Sequence, residues 1–82
     1  MPNFSAWNLR YRRAWYTPER DHLRAAGWSP AQVDVLLALQ TYRAGSDAPG
    51  TPTPADIARL TGHAPSTVQR ALMALRAAGE RL

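Results

Sequence analysis

Ser66, Thr67, Gln69 and Arg70 are the residues whose types and spacing suit a chemical task. A helix opening at Pro65 and running to about Ala78 would turn Ser66, Arg70, Met73 and Ala77 to one side, with Gln69 and Thr67 flanking them. Arginine can grip guanine O6 and N7 with two hydrogen bonds, glutamine can pair with adenine N6 and N7, and hydroxyls reach phosphates or base edges. The small residues on that face would allow close approach to a duplex. Val68, Leu72 and Leu75 fall on the opposite side, with Ala71 and Gly79 at its margin, as packing would require. A helical hairpin whose polar face is merely solvated has the same pattern. The pattern alone therefore leaves both readings open.

Catalytic chemistry has much less to draw on. The acids are Glu19, Asp21, Asp34, Asp47, Asp56 and Glu80. Glu19 and Asp56 are accounted for as helix-start residues, and no carboxylate pair, Ser-His-acid set or phosphate-cradling glycine loop stands out. His22 is isolated and reads as a surface or packing residue. His63, in the turn after Gly62, suits a phosphate or solvent better than proton transfer. The chain has no cysteine, which excludes disulfides, thiolate metal sites and cysteine nucleophiles. The expectation is a protein that is not an enzyme, with no cofactor, no metal and no identifiable small-molecule ligand.

Composition narrows the partner. Eighty-two residues make one small domain, and 45% hydrophobic residues is the level of a folded chain. The net charge is +4, and all ten basic residues are arginines. A GC-rich genome would produce the same bias, but arginine also offers a planar fork suited to phosphate and guanine. A polyanion is compatible with that balance. No apolar run reaches membrane-spanning length, and the first residues lack the apolar stretch of a secretory signal. No membrane partner is expected, and the cytoplasm is the expected compartment.

The elements that must position the polar face can be read in order. Residues 1–16 form an aromatic and basic N-terminal segment. Phe4, Trp7, Tyr11 and Trp15 have helical spacing, and Arg10, Arg12 and Arg13 are interleaved with them. These rings would either dock on this domain or on a second copy, or stack on bases while the arginines touch phosphates. A domain over residues 17–82 follows. Thr17-Pro18-Glu19 starts a helix that stops near Ala26 before Gly27. Ser29 and Gln32 form a capping box that opens a helix ending at Gly45. Val33, Leu36 and Leu37 lie on one of its faces and Val35, Leu39 and Tyr42 on another, so it should be central. It should pack on the last two helices on one side and on the N-terminal helices on the other. Residues 45–52 are a linker rich in Gly and Pro. Residues 53–79 then give a helix from Pro54 to Leu60 with Thr53 as N-cap and Asp56 in its first turn. The turn Thr61-Gly62-His63-Ala64 and the helix from Pro65 complete the stretch. A short helix, a turn with glycine and a longer second helix are the marks of a helix-turn-helix.

From Trp28 onward the chain resembles winged-helix transcription regulators, most closely the MarR type. The likeness lies in Gly27-Trp28-Ser29-Pro30-Ala31-Gln32 leading into Val35-Leu36-Leu37-Ala38-Leu39. It continues through a Thr-Pro opening with Asp56-Ile57-Ala58, Thr61-Gly62, Ser66-Thr67-Val68 and Leu72-x-x-Leu75-x-x-x-Gly79. The resemblance implies an all-α bundle carrying a helix-turn-helix. Glu80-Arg81-Leu82 is too short for the usual hairpin, so the wing is expected to be truncated or absent. It also implies double-stranded DNA as partner, with Pro65, Ser66, Thr67, Gln69 and Arg70 facing the major groove and Thr53 near a phosphate. His63 is a further candidate contact, and Arg10, Arg12, Arg13, Arg59 and Arg76 are accessory phosphate candidates. Phe4, Trp7, Tyr11, Trp15 and Met73 are candidates for a homodimer or partner contact. Transcription control is the leading role. Plasmid or phage replication control and a protein-docking module remain alternatives.

Overall fold

The structure is a computed structural model that describes residues 4–15, 17–44 and 51–79. Five helices occupy them: α1 (Phe4–Trp15), α2 (Pro18–Ala25), α3 (Pro30–Arg43), α4 (Pro54–Thr61) and α5 (Pro65–Ala77). No strand occurs among the described residues. The linker residues 45–50, including the expected helix stop at Gly45, and residues 80–82 lie outside them.

Local chemistry sets the helix ends. The Ser29 hydroxyl accepts the Gln32 N–H at 3.2 Å, and the Gln32 side chain accepts the Ser29 N–H at 2.9 Å. Thr53 and Asp56 make the same reciprocal pair at 3.2 and 3.1 Å, so the acid in the first turn of α4 is also half of a capping box. Gly62 ends α4 at φ 80°, a left-handed conformation that a side chain would strain. The helix reaches Thr61, leaving a turn of residues 62–64 before Pro65. Thr17 departs from expectation. It is extended at the start of α2 but caps nothing; its hydroxyl donates backward to the Ala14 carbonyl at 2.7 Å. The last carbonyls of α1 need donors, and they compete successfully for this one.

Helix α3 is the centre. Every residue from Val33 to Leu39, and Tyr42, is buried, so both of its apolar faces are covered as the spacing required. Helices α1, α2, α4 and α5 all pack against it. Ile57 and Ala58 of α4 meet Val68, Ala71, Leu72 and Leu75 of α5 in the same cluster.

Helix α1 belongs to that core. Trp7 is 1% exposed and Tyr11 4%. The Trp7 indole donates to the Ala38 carbonyl at 2.9 Å and meets the Tyr42 ring edge-on at 5.0 Å. Arg10 Nε donates to the Thr41 carbonyl at 2.8 Å. Both acceptors are on α3, so α1 is joined to it by hydrogen bonds as well as by rings. Trp7→Ala should cost about 3–5 kcal/mol, the usual range for deleting a large buried ring. Urea unfolding followed by circular dichroism would measure it.

Candidate nucleic-acid interface

The outer face of α5 is free of the fold. Val68, Ala71, Leu72 and Leu75 are buried, while Pro65, Ser66, Gln69, Arg70, Met73 and Arg76 are exposed and Thr67 is half-buried. Two open grooves flank this ridge. Thr67 and Arg70 line one with Ser29, Ala31 and Gln32 at the start of α3. Gln69, Met73 and Arg76 line the other with Leu39, Leu72 and the segment around Thr51, Pro52 and Pro54. Arg70 Nε meets the Ser66 carbonyl of its own helix at 3.5 Å, at the limit of a hydrogen bond. No side chain caps the start of α5 at Ala64.

The charge is unevenly spread. Neither α1 nor α5 contains an acid. The described acids are Glu19 and Asp21 on α2, Asp34 on α3 and Asp56 in the α4 cap. The arginines divide by use. Arg10 and Arg24 donate to the carbonyls of Thr41 and Trp28, and Arg20 lies 4.6 Å over the Trp15 ring. Arg12, Arg13, Arg70 and Arg76 are exposed. Arg12 and Arg59 share an open groove between α1 and α4 with Ser5, Asn8 and Leu60.

Several expected contacts are placed elsewhere. Thr53 is exposed, but its hydroxyl is engaged in the α4 cap. Arg10 is held by α3, which removes its Nε from any phosphate role. Trp7 and Tyr11 are buried within the domain and cannot face a second copy. Trp15 at 38% and Met73 at 67% exposure do reach the surface, joined by Leu9 at 52%. Phe4 opens α1, and its side chain lies outside the described part. His63 turns inward, with Nε2 2.8 Å from Asp34 Oδ2. Sequence reading left both partners unpaired. The available signal was an acid set between Val33 and Val35 in an apolar run, since a buried carboxylate needs a partner.

Beside that pair sits an unmatched hydroxyl. Tyr11 Oη is buried close to Asp34 and Trp15, without a hydrogen bond of ordinary geometry to either. Burial, and then the nearby Asp34 charge, push its ionisation well above the ordinary range of a phenol.

Among the described residues, no cluster of His, Asp or Glu could hold a metal ion, and no helix is long and apolar enough to cross a membrane. No family model, curated protein or solved structure matches the chain.

The Tyr11 site gives a pH-dependent prediction. An unfolded tyrosine loses its proton near pH 10, and Tyr11 in the fold holds it to higher pH. Its effect on stability is thus constant below about pH 10 and becomes destabilising as the pH rises further, because only the unfolded chain releases the proton. Urea midpoints at about pH 9 and pH 11 should fall less with pH in Tyr11→Phe than in the wild type.

Proposed function

We propose that α4, the turn 62–64 and α5 form a DNA-binding helix-turn-helix, with α5 entering the major groove of duplex DNA. The observation that carries this reading is the outer face of α5. It presents Ser66, Gln69 and Arg70 in the N-terminal half of a helix that has no acid and leaves these side chains exposed. Arg70 and Gln69 are the base readers, Ser66 and Thr67 contact base edges or phosphate, and Pro65 sets the start of the helix. Arg76, and Arg12 and Arg13 on the acid-free α1, are accessory phosphate contacts. The chain's net charge of +4 favours such a partner.

The role assigned is a non-enzymatic cytoplasmic transcription regulator of winged-helix type. Replication control is the nearest alternative use of the same site. One observation favours a second reading, as a self-associating or protein-docking module: Met73 is 67% exposed beside an open groove containing Leu39 and Leu72. Sedimentation at rising concentration separates the two, since DNA reading does not need Met73 to associate in the free protein.

Titration of duplex DNA over a salt series, followed by selection of preferred sites, tests the main reading. Affinity should fall with salt at a slope of about −0.9 per phosphate neutralised. Arg70→Ala should cost about 1–3 kcal/mol on the selected site and relax preference at one base pair. Unchanged binding by Arg70→Ala would refute the assignment of α5.

A further inference from the structure

Among the described residues the fold encloses one charged side chain. Asp34 is 8% exposed, on the helix that forms the centre of the core. A carboxylate there is tolerated when a partner offsets its desolvation. That partner comes from 29 positions away: His63 Nε2 stands 2.8 Å from Asp34 Oδ2. An ionised carboxylate can only accept, so Nε2 carries the proton and donates. On the other side of Asp34, α1 brings the buried Tyr11 hydroxyl, and Arg20 of α2 adds its charge to the same neighbourhood.

His63 is the middle residue of the turn between α4 and α5. Gly62 before it is left-handed, and Ala64 after it offers no side-chain cap to α5. Within the turn itself the His63 N–H has only a long contact, 3.4 Å, to the Thr61 hydroxyl. The imidazole is therefore the firm link between this turn and α3. We propose that the Asp34–His63 pair is a strut that sets the placement of the first turn of α5, and that His63 takes no phosphate itself. His63 is a positioning residue: it acts on DNA through Ser66, Gln69 and Arg70. This rests on reading α5 as the DNA-contacting helix.

The experiment is a double-mutant cycle in the full chain with Asp34→Ala, His63→Ala and the pair together, and Arg70→Ala as reference. Each protein is titrated over a salt series with the duplex selected for the wild type, after circular dichroism confirms helicity. Each single change should weaken binding about tenfold, and the double change no more than either, as for neighbours that act as one unit. The salt slope should stay at the wild-type value. Additive losses, or a slope reduced by about one contact in His63→Ala alone, would show a direct phosphate contact and overturn the strut. Unchanged affinity in both singles while Arg70→Ala weakens binding would overturn it too and leave the DNA reading intact. Where Asp34→Ala does not fold, Asp34→Asn takes its place, keeping the shape and dropping the charge, with the same coupled loss expected. If neither the wild type nor Arg70→Ala binds duplex, the DNA reading fails instead. Amide exchange in the free protein at Val68, whose N–H donates to the Ala64 carbonyl, and at Gln69 then decides the strut: faster exchange in both singles supports it, and unchanged rates refute it.

Discussion

Helix α3 has no side left for water over most of its length, and the rest of the domain follows from that. A helix buried around its whole circumference must be surrounded, and four other helices do so. Burying each of Val33, Val35, Leu36, Leu37 and Leu39 contributes on the order of 1.5–3 kcal/mol before the entropy of ordering the chain is subtracted. The polar attachments are also made to α3. Its carbonyls at Ala38 and Thr41 receive α1, and its one carboxylate receives the turn before α5. The stretch from Val33 to Leu39 is used so fully by the core that it has little to offer a ligand. Any recognition would fall to the outer faces of the helices around it, and α5 offers Ser66, Gln69 and Arg70 there without an acid.

Where the sequence was legible, the reason is range. The caps at Ser29 and Thr53, and the glycine stop at Gly62, depend on residues at most four apart, and all of them formed where the residue types placed them. The two faces of α3 and the buried side of α5 are repeats of the same short kind. The interactions that stayed hidden join positions far apart: Trp7 to Ala38, Arg10 to Thr41 and His63 to Asp34. No spacing rule reaches across 31 or 29 positions. Composition misled in one further way. Ten arginines suggest a broadly basic surface, yet Arg10, Arg20 and Arg24 are used to hold helices and a ring in place. Among the described residues Arg12, Arg13, Arg70 and Arg76 stay exposed on α1 and α5, which have no acids to cancel their charge.

Thr17 shows that even local chemistry can be misread when two demands meet. A threonine before Pro-Glu has the makings of an N-cap, and its backbone takes the extended conformation that a cap needs. The hydroxyl nevertheless serves the end of α1, through Ala14. The two helices are so close in sequence that one side chain lies within reach of both orphan sets. The donor deficit on the preceding carbonyls is met, and the start of α2 relies on Pro18 and on Glu19 and Asp21 in the first turn.

The state of Arg70 before binding bears on how such a site would discriminate. A guanidinium already locked by strong hydrogen bonds would have to break them to reach a base, and would lose much of what it gained. Arg70 has a contact at 3.5 Å to its own helix, too long to hold the group firmly. Binding would therefore cost it rotamer freedom, on the order of 0.5–1.5 kcal/mol for a side chain of this kind, and little hydrogen bonding. Two parallel hydrogen bonds to guanine exceed that cost, and a single bond to another base barely does. A loosely held arginine on a firmly placed helix thus favours a partner offering both acceptors, provided the start of α5 is itself fixed. Val68 in the core fixes it from below, and the turn adds its hold through the carboxylate inside α3.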